Sequence, residues 1–400
     1  MKDDKKVPQL RFPEFTDAWK QRKVGDLLVE RREMVTEDNE YPLMAFIANE
    51  GVAPKGDRFD RSALVKNADS KKYKRTKYGD FIYSSNNLES GSIGLNKYGK
   101  ASISPVYSIF YPTNLADSDF IGRYFLRKDF IGQMIRWRQG VVYGQWKIPE
   151  ADFLNIDIYI PSKDEQEKIG QILDKVDNTI TLQQRKLNSL QKLKKGLLQK
   201  MFPKKGENIP EIRFPEFSDA WKQRKFGDFA KVSMCKRIFK EETTQTGDVP
   251  FFKIGTFGGI PDAFISRYKF ESYKAKYPYP KKGDILISAS GSIGRIVEYS
   301  GKDEYFQDSN IIWLDHDESV LNSFLKHVYS IIKWNGIEGT TIKRLYNDNV
   351  LTTKIFTPSL EEQSKIGTFF TQLDNTITLQ QRKLESLQKL KKGLLQQMFI

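Results

Sequence analysis

The chain of 400 residues contains little of the side-chain chemistry that enzymes use, with one cysteine and two histidines. The single cysteine, Cys235, excludes a disulfide framework and fits a reducing cytosol, so a cytoplasmic location is expected. Cys235, His316 and His327 are too few for a zinc site of the Cys/His type. Both histidines fall in one predicted strand–helix stretch, which argues against a Ser-His-Asp triad. We therefore expect neither a metal site nor a catalytic centre.

Long apolar runs are missing as well. No stretch is apolar over the length that a membrane span requires, and the N-terminal MKDDKKVPQL has no apolar signal core. The best phosphate-loop candidate, residues 94–100, is followed by Ala101 where the motif requires Ser or Thr. Two GSIG sequences, at 91–94 and 291–294, are too short for a dinucleotide-binding fingerprint. They are interpreted as turn glycines.

Positive charge, in contrast, is abundant. The sequence has 65 Lys and Arg against 51 Asp and Glu, a formal net charge of +14. Nucleic acid is the commonest partner of such a basic chain, and an anionic membrane surface is the second. The length corresponds to two or three domains.

Two stretches of the sequence occur twice. Residues 177–202, DNTITLQQRKLNSLQKLKKGLLQKMF, return at 374–399 with changes only at Asn188/Glu385 and Lys200/Gln397. Residues 11–26, RFPEFTDAWKQRKVGD, return at 213–228 with changes only at Thr16/Ser218 and Val24/Phe226. Near-identity at this distance along the chain indicates an internal duplication.

The longer repeat has the apolar spacing of a coiled coil, with steps of four and three. Gln183 and Lys194 interrupt the first seam, and Gln380 and Lys391 interrupt the second. Pro-Ser pairs at 161–162 and 358–359 indicate where the helices start, so each helix spans roughly 40 residues. The favoured interpretation is that the two helices pair within the chain. The alternative is that each packs on its own domain.

Between the repeats lie two middle segments, roughly 25–160 and 227–357, that barely resemble each other. Matching Gly-Asp pairs at 79–80 and 283–284, and Trp137 with Trp334, place them in parallel. The predicted fold class is α+β, with two globular domains alternating with two long helices that pair as an antiparallel coiled coil in a pseudo-two-fold repeat. The predicted domains are 1–160, the first globular domain with its lead-in; 161–205, the first helix; 206–357, linker, lead-in and second globular domain; and 358–400, the second helix. Strands are predicted at 80–84, 106–111, 156–160, 284–288, 310–314 and 354–357, and helices at 121–137 and 319–334.

Basic and aromatic residues are interleaved in both middles, a pattern that suits contact with phosphates. The run in the first middle comprises Lys71, Lys72, Tyr73, Lys74, Arg75, Lys77 and Tyr78. The run in the second comprises Arg267, Tyr268, Lys269, Tyr273, Lys274, Lys276, Tyr277, Tyr279, Lys281 and Lys282. The alternative is that each run is a solvated face. Two runs in matching places favour DNA binding.

Forked donors and amides are the groups that distinguish bases: Arg for guanine, Asn or Gln for adenine. Candidates in the first middle are Asn86, Asn87, Arg136, Arg138, Gln139 and Gln145. Candidates in the second are Arg295, Gln307, Asn310, Asn335, Lys343 and Arg344.

The layout resembles the specificity (S) subunit of type I restriction-modification systems. The resemblance covers essentially the whole chain and is carried by the RFPEF lead-in, the DNTITLQQRKL helix and the motif P-S-x-x-E-Q-x-K-I-G at 161–170 and 358–367. It implies that each middle is a target recognition domain for one half of a split, asymmetric DNA site. It also implies that the paired helices set the gap between the halves and dock two methyltransferase (M) subunits, which methylate adenine at N6.

The same resemblance implies that two motor-nuclease (R) subunits join for restriction and that the S subunit catalyses nothing. S-adenosylmethionine then belongs to the M subunit, and ATP and Mg mainly to the R subunit, so no cofactor is expected in this chain. In that family the loop before the last strand touches DNA. It corresponds here to residues 139–147, ending at Lys147, and 335–344, with Thr340 and Thr341. The first loop has Gly-Val-Val where the second has Gly-Thr-Thr.

Two alternatives remain open on the sequence. One is a stand-alone DNA-binding protein without a methyltransferase partner. The other is a coiled-coil scaffold whose middles bind protein. Sequence-selective DNA binding with a steep salt dependence would exclude the protein-binding scaffold.

Overall fold

A computed structural model of the chain describes residues 6–36, 38–54, 72–141, 145–334 and 344–400, except for the side chain of residue 141. It divides into two units, Met1–Gln183 with Lys383–Ile400, and Gln184–Arg382. Each unit contains one globular domain and segments of both long helices. None of the described helices combines the length and apolar character that crossing a membrane requires.

The elements of the first domain alternate short strands with short helices. Its strands are β1 (Lys20–Lys23), β2 (Leu28–Glu30), β3 (Met34–Val35), β4 (Met44–Ile47), β5 (Gly51–Pro54), β6 (Tyr73–Thr76), β7 (Phe81–Tyr83), β8 (Ile93–Leu95), β9 (Ala101–Ile103), β10 (Ser108–Pro112), β11 (Gln139–Val141), β12 (Gln145–Lys147) and β13 (Asp157–Ile160). Its helices are α1 (Val24–Leu27), α2 (Ser118–Phe125), α3 (Lys128–Arg136) and α4 (Glu150–Leu154), and the first long helix, α5 (Lys163–Lys200), follows.

The first domain is built around a four-stranded antiparallel sheet in the order β2-β10-β7-β8. Strand β7 lies between two apolar clusters because successive side chains of a strand point to opposite faces. Phe81 and Tyr83 join the main core of the domain. Ile82 joins a smaller cluster formed with residues of β4 and β9, including Phe46 and Ile103.

The second domain repeats this plan with different residues. Its strands are β14 (Lys222–Lys225), β15 (Ala230–Ser233), β16 (Val249–Phe252), β17 (Phe264–Ile265), β18 (Ile285–Ser288), β19 (Ile296–Glu298), β20 (Tyr305–Phe306), β21 (Ile311–His316) and β22 (Lys354–Thr357). Its helices are α6 (Arg267–Lys276), α7 (Asn322–Ile331) and α8 (Asn347–Thr352), and the second long helix is α9 (Leu360–Gln397). Short 3-10 helices lie at Phe226–Asp228 and Lys240–Glu242.

The central sheet of the second domain has the order β15-β21-β18-β19, which matches β2-β10-β7-β8 strand for strand. Strand β18 again separates two clusters, with Ile285 and Ile287 in one and Leu286 in the other. The predicted internal repeat therefore includes the two middles, although their sequences barely resemble each other.

All six predicted strands are confirmed. The single helix predicted over 121–137 is wrong, because two helices, α2 and α3, occupy this stretch. They are separated at Arg127, whose backbone is extended and whose guanidinium lies over the rings of Tyr124 and Phe399. Neither a glycine nor a proline lies at this break. The helix predicted over 319–334 is confirmed as the shorter α7.

The two basic runs lie in matching places, before β7 and β18, but they do not share a conformation. The first lies in β6, between β3 and β9. The second forms α6, which begins where the Ser266 side chain accepts a hydrogen bond from the Lys269 N–H and buries Phe270 in the core. A serine N-cap and a buried aromatic residue on one face stabilise a helix there.

The long helices α5 and α9 have 38 residues each, close to the predicted length. They pair as an antiparallel coiled coil: in the first unit Lys391 of α9 forms an ion pair with Asp177 of α5 at 2.6 Å, and in the second unit Lys194 of α5 pairs with Asp374 of α9. Both lysines are predicted interruptions of the seam. Each finds a carboxylate on the opposite helix, so the polar seam positions help to set the register.

The alternative, that each helix packs on its own domain, holds for the first turns only. Ile169 and Leu173 of α5 are buried in the first domain's core, and Ile366 and Phe370 of α9 in the second domain's core. The C-terminal end of α9 also enters the first core, where Phe399 stacks on Phe120.

The motif P-S-x-x-E-Q-x-K-I-G joins each long helix to its own domain. Buried Glu165 accepts two hydrogen bonds from Arg11, at 2.7 and 2.8 Å, and Glu362 accepts two from Arg213, both at 2.7 Å. Gln166 accepts the Asp117 backbone N–H at 3.0 Å and donates to the Leu115 and Pro161 carbonyls, both at 3.1 Å. Gly170 ends the first copy of the motif. A Cβ at this position would lie 2.9 Å from Asp117 Oδ1, so glycine allows the long helix to approach this carboxylate closely.

Candidate nucleic-acid interface

In the second domain several loops meet at one end of the sheets. Strands β16 and β20 are parallel, and β18 ends beside the start of β21, so the segments after β16, β18 and β20 lie together. The Ile254 N–H donates to Gln307 Oε1 at 2.9 Å, and the Leu345 N–H donates to the Ala289 carbonyl at 2.8 Å. We call residues 253–263, 289–295, 307–310 and 344 the loop face of the second domain.

Four of the predicted base-contacting residues lie together on this loop face, namely Arg295, Gln307, Asn310 and Arg344. Arg344 forms an isolated β-bridge with Ser290, whose hydroxyl donates to Asn310 Oδ1 at 2.6 Å. Arg295 and Arg344 are exposed. Because the Gln307 Oε1 atom is held by Ile254, the direction of its amide donor is also set. A cleft of about 520 Å³ lined by Lys240, Lys253 and Gln307 lies alongside.

The first domain has a corresponding loop face, residues 48–50, 84–92 and the hairpin β11–β12. The Ser85 hydroxyl accepts a hydrogen bond from the Ile148 N–H at 2.9 Å, and Asn86 Oδ1 accepts from the Trp146 N–H at 2.5 Å. The Asn49 N–H donates to the Gly91 carbonyl at 2.9 Å. These bonds join the hairpin to the loop that follows β7.

The hairpin collects most of the predicted base-contacting residues of the first domain. Asn86, Asn87, Gln139, Gln145 and Lys147 are exposed around it, and exposed Arg136 ends α3 just before it. Arg138 is mostly covered: its Nη1 lies 2.9 Å from Glu89 Oε2, and its guanidinium lies 6.0 Å from the Trp146 ring centre.

Two exposed tryptophans on this surface were not among the predicted contacts. Trp137 is 45% exposed at the end of α3, and Trp146 is 48% exposed on β12. Large exposed aromatic rings suit stacking on unpaired bases. The signal was present in the sequence, because Trp146 lies between the candidates Gln145 and Lys147.

The first basic run is divided by the fold. Lys72 and Lys77 are exposed, whereas Lys74 Nζ donates to the Tyr107 carbonyl at 2.9 Å. Arg75 pairs with Glu33 at 2.5 Å and with Asp38 at 2.6 Å. The hydrogen bonds that Arg75 donates to the carboxylates of Asp38 and Glu33 raise the pKa of its guanidinium. The guanidinium of Arg75 is therefore used within the domain.

The second basic run is divided as well. Lys274, Lys276 and Lys281 are all exposed, but Lys274 Nζ lies 3.7 Å from Asp303 and over the rings of Phe270 and Tyr279. Lys281 and Lys77 occupy equivalent turns: the backbone N–H of each donates to the carboxylate of the aspartate three residues later, at 2.7 Å. These turns precede β18 and β7, so they lie at the sheet end opposite the loop faces.

The remaining predicted contacts, Lys71, Asn335, Thr340, Thr341 and Lys343, lie outside the described residues. The prediction that the GSIG glycines lie in turns is confirmed for Gly91, Gly291 and Gly294, whereas Gly94 lies within β8. Gly91 and Gly291 have φ of 93° and 64°, a region that favours glycine.

The described ranges contain no group of three or more His, Cys, Asp or Glu side chains that could hold a metal ion. Burial raises the pKa of the Cys235 thiol to about 12 and lowers the pKa of His327 to about 4. A thiol with so high a pKa is protonated at neutral pH and is a poor nucleophile. The loop faces instead present amide and guanidinium donors, and the first domain adds exposed aromatic rings. Such groups are suited to binding rather than to catalysis.

Comparison with known proteins agrees with this arrangement. The family model described as "Type I restriction modification DNA specificity domain" matches residues 16–192 and 218–389. A protein of Haemophilus influenzae named as a type I restriction enzyme specificity subunit is 58% identical over 156 residues, 38% of this chain and 40% of its own length. The MjaVIII specificity subunit of Methanocaldococcus jannaschii is 25% identical over 278 residues, 62% of this chain and 63% of its own length.

The matched segments thus span less than two thirds of either relative. A crystal structure of the type I restriction-modification S subunit from M. genitalium has a TM-score of 0.61 at 17% identity and covers 98% of this chain and 99% of that chain. At that identity the likeness is one of fold. Because the family model covers most of the sequence in two copies that coincide with the two structural repeats, this protein belongs to the type I restriction-modification DNA specificity family.

Proposed function

We propose that this chain is the sequence-specific DNA-recognition subunit of a type I restriction-modification complex, with each domain recognising one half of a bipartite, asymmetric site. The observation that supports this most strongly is that one strand order presents different side chains on the two loop faces. A repeated scaffold with unlike loops is suited to two unlike stretches of one duplex. Base edges in the major groove distinguish such stretches through amide and guanidinium donors.

The proposed contacts divide by chemistry. Residues for the base edges are Asn86, Asn87, Arg136, Arg138, Gln139 and Gln145 in the first domain, and Arg295, Gln307, Asn310, Asn335, Lys343 and Arg344 in the second. Residues for the phosphates are Lys71, Lys72, Lys77, Lys147, Lys274, Lys276 and Lys281, with Thr340 and Thr341 beside them. Phosphate contacts position a protein, and base contacts specify the sequence. Lys74 and Arg75, which bond within the domain, contribute mainly to the local positive potential.

In the proposed complex, the paired helices hold the two domains at a fixed separation and dock two methyltransferase subunits that methylate adenine at N6. Two motor-nuclease subunits join for restriction, in the cytoplasm. The chain itself catalyses nothing: S-adenosylmethionine belongs to the methyltransferase subunits, and ATP and Mg mainly to the motor-nuclease subunits. A stiff helical spacer suits this role, since about one DNA turn, roughly 34 Å, separates half-sites on one face of the duplex.

The decisive experiment is to map N6-methyladenine across the genome of cells that express the methyltransferase subunits with and without this chain. Methylation of one bipartite motif only in the presence of the chain is expected. Exchanging Asn86 and Gln145 for alanine is expected to relax one half of that motif. Exchanging Asn310 and Arg344 for alanine is expected to relax the sequence specificity of the other half.

Two outcomes would count against the proposal. One is methylation of the same motif without this chain, which removes its role in recognition. The other is a change in both halves after substitution of one loop face, since the domains are proposed to act on separate halves. Deleting one heptad from each long helix serves as a further control, because it is expected to change the gap and leave both half-sites intact.

A further inference from the structure

We propose that the loop joining β16 to β17, residues 253–263, presents an apolar wedge, Ile260, which the second domain inserts between adjacent base pairs of its half-site. This inference rests on the proposed function and extends it by naming the residue that distorts the duplex. Ile and Pro are among the side chains that proteins insert between base steps to unstack and kink DNA.

Ile260 is the most exposed large apolar side chain among the described residues, at 88%. It follows Gly258 and Gly259 and precedes Pro261, which fixes its own φ and lacks a backbone donor. Isolated apolar residues on a surface are ordinary and need no explanation. Ile260 differs from such residues in two respects. Its loop is firmly anchored, and the loop lies beside the candidate base-contacting residues.

The base of the loop is firmly anchored. Phe257 is buried, and its carbonyl accepts a hydrogen bond from Arg295 Nη1 at 2.9 Å. Lys253 Nζ and Asp262 Oδ1, on opposite sides of the loop, form an ion pair at 2.8 Å. Gly258 has φ +75°, and a Cβ there would lie 3.0 Å from Val297 Cγ2, so glycine is favoured by both conformation and space. A wedge must be preorganised, because ordering a loose loop during binding costs entropy.

The loop belongs to the same end of the domain as the base-contacting candidates. Ile254, at its start, donates its N–H to Gln307 Oε1, and a Cβ at Gly291 would lie 3.9 Å from Ile254 Cγ1. Arg295 places positive charge beside the loop, where it can neutralise a phosphate next to an opened base step. These polar and glycine neighbours favour a nucleic acid over an apolar protein surface as the partner.

The corresponding hairpin of the first domain lacks such a feature. There β4 pairs antiparallel with β5, and a parallel bridge joins Leu43 to Ser102, beside β9, as β16 pairs with β17 and β20. Its connection is only residues 48–50, Ala-Asn-Glu, and Asn49 is bonded to the Gly91 loop. The wedge is therefore specific to the second domain, and only its half-site is distorted by it.

The test uses the complete methyltransferase complex and a duplex carrying the motif mapped in the genome. 2-Aminopurine placed at successive positions reports local unstacking as a rise in fluorescence. Wild-type complex is expected to give that rise at one step of the second half-site. Ile260→Ala is expected to abolish most of the fluorescence rise and to weaken binding roughly tenfold. Ile260→Phe, which keeps a large apolar side chain, is expected to retain both the rise and the affinity.

Ile209→Ala is the matched control, because Ile209 is 48% exposed in the linker before β14, outside the loop face and the basic run. It is expected to behave as wild type. If wild type unstacks the step and Ile260→Ala does so equally, the wedge is overturned and the proposed function stands. If wild type binds no motif selectively, both are overturned.

Discussion

The two domains share a strand order yet use equivalent positions differently, and the matching tryptophans illustrate this. Trp137 is 45% exposed at the end of α3 in the first domain. Trp334 packs in the second domain, with its ring centre 5.8 Å from those of Phe226 and Tyr329. One residue type at one point of the repeat is thus exposed in one copy and packed against the core in the other. The shared strand order fixes the position of a side chain, whereas the neighbouring residues determine whether it is exposed or buried.

The joints between each domain and its long helix show a second contrast. In the first unit Arg123 of α2 pairs with Asp174 and Asp177 of α5, each at 2.6 Å. In the second unit His327 of α7 lies against Phe370 of α9, with ring centres 4.9 Å apart. One joint is therefore ionic, and the other is largely apolar.

The largest expected effect tests what the joints have in common. Arg11→Ala and Arg213→Ala each leave a buried carboxylate, Glu165 or Glu362, without its partner, which costs about 3 to 5 kcal/mol. Urea denaturation of the full chain, with hydrogen exchange of α5 and α9 as the local probe, measures the loss. Arg32→Ala is the control, because Arg32 is 83% exposed and its pair with Glu30 is at the surface. Equal stability of Arg11→Ala and Arg32→Ala would refute the role of the buried pair.

A smaller effect distinguishes the joints by pH. Burial lowers the pKa of His327 to about 4, below its usual value of 6.5. His327 therefore binds a proton more weakly in the folded chain than in the unfolded chain. The free energy of unfolding falls as the pH drops from 6.5 toward 4. Between pH 7 and pH 5 the expected loss is about 2 kcal/mol at this joint.

Hydrogen exchange of α7, corrected for the intrinsic effect of pH and compared with α2 in the same sample, measures this difference. Helix α2 has Arg123 at the joint, and its charge is constant over this range. His327→Leu is expected to flatten the dependence in α7 by removing the titrating group. A slope in α7 that persists in His327→Leu would assign the effect to other groups.

The smallest expected effect concerns the loop face of the first domain. Trp146→Ala removes an exposed ring and is expected to weaken binding to DNA by about 1 to 3 kcal/mol if the ring stacks on a base. Fluorescence anisotropy with the mapped duplex measures the change. Tyr98→Ala is the matched control, because Tyr98 is 47% exposed in the turn after β8, at the opposite end of the sheet. Loss of affinity in both variants alike would remove the distinction between the two ends.

Much of the framework could be predicted because its signals are local in the sequence. The four-three spacing identified the long helices, and Lys194 and Lys391 were recognisable as polar interruptions of the seam. The shared strand order was far less visible, since β7 and β18 have different residues and share only a short, continuously apolar character. The break at Arg127 has no local signal in the sequence, since neither a glycine nor a proline lies there.

The loop faces were predictable only in part. The candidates at 86–87 lie beside the β11–β12 hairpin, which carries Gln139, Gln145 and Lys147. The sequence also grouped Lys77 and Lys281 with them, although the fold places these at the other end of the sheet. It offered no reason to select Ile260, because an isoleucine after two glycines is as compatible with a buried turn as with an exposed tip.

The amino-acid sequence by itself determined the duplication, the paired helices and the basic character of this protein, because repetition, periodicity and charge are properties of the order of residues. Only the tertiary structure decided which cations are used internally and which loops share a face. Arg75 is held by Glu33 and Asp38, and Gln307 is oriented by Ile254. Such pairings join residues that are separated along the chain, so they exist only once the strands have been brought together.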